Sequence, residues 1–450
     1  MEKKHLFIYT FGCQMNVHDS EKIEALMETS GYVSVDNVEK ADLIIINTCS
    51  IREKAAQKVY SLLGRLKKIK GNKPELIIGV GGCLAQQWGI KFFEVVPFLD
   101  LVFGTHNIHL LPELVTKIEK KRIPVVQTDF HRSVKSLGFT PLKSNRAVIH
   151  AFVTIMQGCN NFCSYCVVPY VRGREESRSF HDIIGEIKAL ADYGIKEVTL
   201  LGQNVNSYGR TIGNEYDFAD LLQGIGQIEG IERIRFTTSH PKDLSDKLIH
   251  CFSKVDKLCE HIHLPVQAGS DRILKMMKRS YTIADYINRV DKLRSICPDI
   301  SITSDIIVGF PGETDKDFQA TIDMMGKIMF DNIFSFKYSE REETDAARLD
   351  NKISEYVKRD RLQLVQSLQK RHTLEKNMTM IGNSEEVLVE DTSKNSKEDV
   401  TGRTRTNKIV NFRGSKKLIG ETVTVVIKNA YLHSLRGELA YEEVTQCSFR

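Results

Sequence analysis

The sequence predicts an α/β protein in three parts: an N-terminal parallel α/β domain over residues 1–120, a central partial (β/α)6 barrel of the TIM type over 146–376, and a small C-terminal β-barrel over 377–445, with a linker over 121–145. Three observations predict it. Apolar strands and amphipathic helices alternate three times in the first 120 residues, and the alternation recurs six times between 147 and 338. Beyond residue 376 helical spacing gives way to short strands and turns. A chain of 450 residues is also too long for one hydrophobic core.

In order along the chain, HLFIYTFG (5–12) reads as a strand, and a helix follows over 17–30 with Val17, Ile23, Leu26 and Met27 at helical spacing. The apolar ADLIIINTCS precedes a second helical stretch, AAQKVYSLLGRLKKIK, and ELIIGVGGC leads into a third. Each of these strands delivers one cysteine just past its end: Cys13, Cys49 and Cys83. Ligands bind at the C-terminal edge of open parallel sheets, so three thiols distant in sequence are expected at one rim. Residues 122–148 carry two prolines, scattered charge and no sustained period, as a linker or strap would. The second run has strand candidates at 147–155, 196–201, 233–238, 259–264, 301–308 and 332–338, separated by amphipathic stretches such as HDIIGEIKALADYG. A charged amphipathic helix over 350–376 closes it. EEVLVED, DVTGRTRTNKIVNF, IGETVTVVIKNAY and SLRGELA then supply the strands of the last barrel.

The formal charge of +5, from 63 basic and 58 acidic residues, permits a polyanionic partner without demanding one. Its placement says more: residues 402–420 contain Arg403, Arg405, Lys408, Arg413, Lys416 and Lys417 and no acid, the footprint of a backbone-binding module or, alternatively, a solvated charged face. The N-terminal apolar run is too short for a signal peptide, and no stretch approaches the roughly 20 residues of a bilayer span. A cytoplasmic protein without membrane attachment is expected. In that compartment ten cysteines are ligands and spectators, not a disulfide framework; Cys251, Cys259, Cys297 and Cys447 lack companions at ligand spacing and read as inert thiols.

The densest chemistry lies in GCNNFCSYC, where Cys159, Cys163 and Cys166 follow the strand HAFVTI at the expected mouth of the barrel. A structural zinc site wants a fourth ligand that this spacing does not supply. Three thiolates suit a cubane iron–sulfur cluster with one iron left open, where a cofactor can bind. Phe162 and Tyr165 either shield such a cluster or simply pack the loop. LGQNVNSYG, TTSHP, HLPVQAGSD and DIIVGFPGET each follow a strand, so four polar loops line the same mouth. IIGVGGC lacks the spacing of a dinucleotide loop; its glycines allow close backbone approach instead.

CxxxCxxC with an aromatic before the last cysteine resembles the signature of radical S-adenosylmethionine enzymes, and GCNNFCSYCVVPYVRGREESR resembles their methylthiotransferase branch. GCQMN, NTCSIREKA and GGCLAQ are similar to the segments that hold the auxiliary cluster of that branch, so the resemblance spans nearly the whole chain. It implies two [4Fe-4S] clusters, one on Cys13, Cys49 and Cys83 and one on the catalytic triplet Cys159, Cys163 and Cys166. It also implies S-adenosylmethionine contacts from Gln203, Asn204, Ser239, Gln267 and Asp305, and a C-terminal TRAM domain whose Arg403, Arg405 and Lys408 touch RNA phosphates. YSEREETDA (338–346) departs from the proline-rich form associated with bacterial members.

GCQMN and NTCSIREKA resemble the members that act on tRNA, at C2 of N6-isopentenyladenosine in position 37, more than those that act on threonylcarbamoyladenosine or a ribosomal protein. An unreactive C2–H bond calls for a radical cofactor. In the implied course one S-adenosylmethionine methylates a sulfur on the auxiliary cluster, a second yields the 5'-deoxyadenosyl radical, and the target base leaves its stack. An electron donor such as flavodoxin or ferredoxin, a sulfur source and a monomeric state complete the expectation. A non-catalytic iron–sulfur RNA-binding protein and a zinc-stabilised scaffold are the competing readings.

Overall fold

The structure is a computed structural model that describes residues 3–50, 53–130, 149–213, 215–394 and 396–440, with the backbone alone for 53–56. Cys447, residues 131–145 of the expected linker and 441–445 of the expected last domain lie outside the described residues.

The N-terminal sheet contains β1 (Lys4–Thr10), β2 (Tyr32–Ser34), β3 (Leu43–Thr48), β4 (Ile77–Gly82), β5 (Leu101–Phe103) and β6 (Val125–Gln127). All six are parallel, in the order β2-β1-β3-β4-β5-β6. The central strands β3 and β4 are buried throughout, because helices cover both faces. On one face lie α1 (Gln14–Thr29) with Ile23 and Met27, and α5 (Leu111–Lys121) with Leu114, Val115 and Ile118. On the other lie α2 (Glu53–Asn72) with Val59 and Leu63, α3 (Cys83–Trp88) with Leu84, and α4 (Lys91–Val95) with Phe92.

Two details depart from the sequence pattern. β6 falls inside the stretch expected as linker; three residues behind Pro124 are too few to carry a period, yet they pair with β5. Val17 is 40% exposed, while Asn16, His18, Asp19 and Ser20 are buried. The first turns of α1 face a polar rim and the neighbouring domain, not the apolar core.

The central domain has β7 (His150–Thr154), a short antiparallel pair β8 (Met156–Gln157) and β9 (Glu176–Ser177), then β10 (Glu197–Leu201), β11 (Arg233–Phe236), β12 (His261–His263), β13 (Ser301–Val308) and β14 (Asn332–Lys337). Sheets β7-β10-β11 and β12-β13-β14 are parallel, and a bridge joins Ile234 of β11 to Leu258, three residues before β12. β7 and β14 are edges, so the barrel is partial. Its helices are α6 (Val168–Arg172), α7 (Phe180–Asp192), α8 (Phe218–Gly226), α9 (Asp246–Lys254), α10 (Asp271–Met276), α11 (Ile283–Ile296), α12 (Asp315–Ile328) and α13 (Glu355–Met378). Val198, Ile234, Ile262, Ile302 and Ile306 face the core formed with these helices. By the alternation of strands, Arg233, Arg235, His261, His263, Thr303 and Asp305 face the lumen, which is therefore polar.

The C-terminal strands β15 (Ser384–Thr392), β16 (Asp399–Thr404), β17 (Ile409–Arg413), β18 (Thr422–Ala430) and β19 (Leu435–Leu439) close a barrel in the order β15-β16-β17-β19-β18. Val389, Val400, Val410, Phe412, Val425 and Ile427 fill it. This barrel caps the N-terminal ends of the central strands. Arg233, which opens β11 and is 1% exposed, donates to the carbonyl of Arg403 at 2.7 Å, and Arg235 donates to that of Thr404 at 2.8 Å.

Candidate functional site

Two cysteine triplets stand at strand ends, one in each α/β domain. In the first, Cys13 is the N-cap of α1, Cys49 follows β3 and Cys83 opens α3. The backbone lets them approach only through glycine. Gly12 has φ +143°, and a Cβ there would stand 2.8 Å from the Cβ of Cys49; Gly82, at φ +89°, would meet the Thr48 carbonyl oxygen at 2.3 Å. Two buried asparagines clamp the rim. Asn16 Nδ2 donates to Asn47 Oδ1 at 3.0 Å and to the Thr48 carbonyl at 3.1 Å, and Asn47 Nδ2 returns a bond to the Asn16 carbonyl at 2.8 Å. Burial pushes the Cys83 thiol up, against the pull of Arg172.

The second triplet hangs from the loop between β8 and α6. Cys159 and Cys163 are buried, and the Cys166 N–H donates to the Cys163 carbonyl at 2.9 Å. Burial, then the negative charge of Cys163, pushes the Cys166 thiol up to about 12. The loop is fixed to the barrel on several sides: Ser164 Oγ donates to the Met276 carbonyl at 2.8 Å, and the Ala346 N–H to the Ser164 carbonyl at 2.7 Å. Phe162 is 37% exposed at φ +45°, with the Arg174 guanidinium 5.6 Å from its ring centre. Tyr165 packs against the central core. Cys251, Cys259 and Cys297 are buried apart from both triplets.

Each triplet faces one buried guanidinium that the spacing of the cysteines does not announce. Arg279 donates to Cys163 Sγ at 3.5 Å and to the Pro265 carbonyl at 2.9 Å, and its Nε donates to the Tyr281 hydroxyl at 3.0 Å. Arg172 donates to Cys83 Sγ at 3.3 Å and pairs with Asp19 at 2.8 Å. A neutral thiol is a weak acceptor, whereas an anionic sulfur makes a charge-assisted bond. The donor sets therefore suit groups that carry thiolate charge. Among the described residues no group of three or more His, Cys, Asp or Glu side chains is placed to hold a metal ion.

The expected cofactor contacts divide. Ser239 Oγ is buried at the barrel mouth without a partner, as is Gln157 Nε2 two residues before Cys159. Gln267, at φ +75°, binds β13 through its backbone, its N–H donating to the Asp305 carbonyl at 2.8 Å. The Asp305 carboxylate lies 3.5 Å from His263 Nε2 on the lumen side. Gln203 accepts the Gly158 N–H, and so supports the loop of Cys159. Asn204 is 1% exposed and already engaged: its Oδ1 accepts from the His240 N–H at 3.1 Å and its Nδ2 donates to Asp243 at 2.7 Å. It holds the neighbouring loop with one N–H and one lone pair of its amide.

The expected phosphate contacts lie at the opposite end of the barrel. Arg405 makes a two-pronged pair with Glu260, its Nη2 2.7 Å from Oε1 and its Nε 2.9 Å from Oε2, and donates to the Leu258 carbonyl at 2.8 Å. Lys408 pairs with the buried Asp331 at 3.1 Å, and Arg403 with Glu390 at 3.1 Å. Arg405 and Lys408 are thus occupied in docking the C-terminal barrel, because the acids that pair with them come from the central domain. Arg413, Lys416 and Lys417 of the same basic run remain exposed. Among the described residues no helix is long and apolar enough to cross a membrane.

Comparison with known proteins gives these features relatives. Residues 5–104 match the Uncharacterized protein family UPF0004, 153–325 the Radical SAM superfamily and 378–440 the TRAM domain. The tRNA-2-methylthio-N(6)-dimethylallyladenosine synthase of Syntrophus aciditrophicus is 62% identical over 100% of this chain and 97% of its own length. That of Geobacter sulfurreducens is 50% identical over 98% of this chain and 99% of its own. Among solved structures, the radical S-adenosylmethionine methyltransferase TsrM from Kitasatospora setae matches with a TM-score of 0.59 at 15% identity, covering 77% of each chain, a likeness of fold. With such identity over its whole length, the chain belongs to the family of the tRNA-2-methylthio-N(6)-dimethylallyladenosine synthases, within the Radical SAM superfamily.

Proposed function

We infer that this chain methylthiolates C2 of N6-isopentenyladenosine at position 37 of tRNA, with S-adenosylmethionine as methyl donor and radical source. The observation that carries the reading is identity of 62% over the full chain to a synthase named for that product. Cys13, Cys49 and Cys83 would hold one [4Fe-4S] cluster and Cys159, Cys163 and Cys166 another, and these groups would supply, with S-adenosylmethionine, the radical and sulfur chemistry that an unreactive C–H bond requires.

The chain's own residues do the holding. Gln203 fixes the turn before Cys159 through Gly158, and Arg279 sets a positive charge against Cys163. Ser239 beyond β11, Gln267 beyond β12 and Asp305 within β13 offer polar contacts to the cofactor, and Asn204, which keeps the His240 loop in place, stands beside them. The polar lumen between edges β7 and β14 gives an extruded base somewhere to enter. Phosphate contacts fall to Arg403, which pairs only within its own barrel, and to Arg413, Lys416 and Lys417, since Arg405 and Lys408 pair with acids of the central domain. The chain works in the cytoplasm as a monomer, with flavodoxin or ferredoxin as reductant and a separate sulfur source.

Single-cysteine variants test the division of labour. Cys163→Ala should abolish 5'-deoxyadenosine formation. Cys49→Ala should keep some cofactor cleavage and give no methylthiolated base. Normal product from the Cys49 variant would remove the N-terminal triplet from the chemistry.

A further inference from the structure

The helix that leaves one cysteine triplet ends at the other. α6 begins two residues after Cys166 and terminates at Arg172. Its Val171, together with Val167, packs against Cys83 in a small apolar cluster that crosses the domain boundary. The N-terminal domain grips the end of this helix: Thr105 Oγ1 donates to the Val171 carbonyl at 2.9 Å, and His106 Nε2 lies 3.0 Å from the Arg172 carbonyl oxygen. The next residue, Gly173, turns away at φ +78° and accepts the Cys159 N–H at 3.2 Å. Two consecutive residues thus touch both triplets, one through a guanidinium and the other through a carbonyl.

Arg172 is only 4% exposed. Burying a cation carries a large desolvation cost unless its charge and its donors are met. Asp19 meets one edge at 2.8 Å, and the remaining partner of the guanidinium is Cys83 Sγ at 3.3 Å. Domain adhesion alone would be served by the Asp19 pair. The second bond is directed at sulfur, and it recurs where Arg279 faces Cys163 at 3.5 Å. Net charge and hydrogen bonds to the sulfurs are the levers by which a protein sets the potential of an iron–sulfur group.

We propose that Arg172 is a positioning residue for the N-terminal triplet: reaching over from the central domain, it sets the charge against Cys83 and so raises the reduction potential of the cluster held there, with Asp19 as the opposing weight. The proposal rests on the assignment of an iron–sulfur cluster to Cys13, Cys49 and Cys83. Reduction adds negative charge, which a neighbouring guanidinium favours and a neighbouring carboxylate opposes. Arg172→Gln therefore lowers the potential, Asp19→Asn raises it, and Arg172→Lys, which keeps the charge, stays nearest the parent.

The test uses the full-length chain carrying Cys159→Ala, Cys163→Ala and Cys166→Ala, so that one triplet remains, reconstituted anaerobically with iron and sulfide. Iron content is measured first. A parent that takes up no cluster refutes the assignment of Cys13, Cys49 and Cys83, and the proposal falls with it. In a loaded parent, redox titration followed by electron paramagnetic resonance should give shifts of opposite sign for Arg172→Gln and Asp19→Asn. Potentials unchanged in loaded variants, or moved in the same direction by both, would overturn the role of Arg172 while leaving the cluster assignment intact. Should Arg172→Gln fail to hold its cluster, Arg172→Met is titrated in its place: a potential below the parent's supports the proposal, and one at or above it refutes it.

Discussion

Asn204 and Ser239 sit in adjacent loops and illustrate opposite uses of a polar side chain. Asn204 spends both its amide groups on His240 and Asp243, so Asn204→Ala should cost about 1–3 kcal/mol in denaturant unfolding by leaving buried partners unpaired. Ser239 Oγ has no partner to lose. Ser239→Ala should leave stability within about 0.5 kcal/mol and weaken S-adenosylmethionine binding in calorimetry. A third residue, His240, is pushed down to about 2, first by burial and then by Arg279, and burial likewise pushes His261 down to about 3. The unfolded imidazoles titrate near 6.5, so the unfolded chain binds the extra protons as pH falls. The stability these residues contribute is complete above about pH 6.5 and is lost progressively below it, by about 2 kcal/mol for each imidazole at pH 5. In urea unfolding at pH 7, 6 and 5, His240→Gln should flatten the fall in stability by close to one proton.

At the scale of elements, the basic run of the C-terminal barrel divides between two tasks. Arg405 and Lys408 dock the barrel onto Glu260 and Asp331, while Arg413, Lys416 and Lys417 face outward at the end of β17 and beyond. Charge reversal at Lys416 and Lys417 should weaken tRNA binding and reduce its salt dependence with no change in thermal midpoint. Arg405→Ala should instead loosen the barrel, read as faster proteolysis near α13, because Glu260 loses a two-pronged partner. The sequence made the positive run legible but not its division. The pairing acids belong to another domain, 145 residues away in the case of Glu260, and counting charge along a segment does not reveal which side chains a fold turns inward. The same holds for Arg172 and Arg279, whose roles depend on a helix crossing a boundary and a turn folding back. The place of the cysteines at strand ends was legible because residue spacing and strand ends are local features. β6 was missed for the converse reason, being too short to show any period.

On the scale of the whole molecule, alternating strands and helices announced both α/β domains, and the change of pattern after residue 376 announced the closed barrel. What no local pattern contained is the stacking: the N-terminal domain lies against the loop of Cys159, Cys163 and Cys166 through α3 and α6, and the small barrel closes the other end of the central one. Anaerobic reconstitution should load about eight irons per chain, four for each cubane, and replacing Cys159, Cys163 and Cys166 by Ala should halve that number. Specificity lies in the base that receives the methylthio group. It is tested most directly by giving the reconstituted enzyme matched tRNAs bearing isopentenyladenosine, threonylcarbamoyladenosine or unmodified adenosine at position 37, then digesting them and weighing the nucleosides. A methylthio mass gain is expected on the isopentenyl nucleoside and little on the unmodified one, where the missing apolar group weakens recognition. A gain confined to the threonylcarbamoyl nucleoside, or to none of the three, would contradict that expectation.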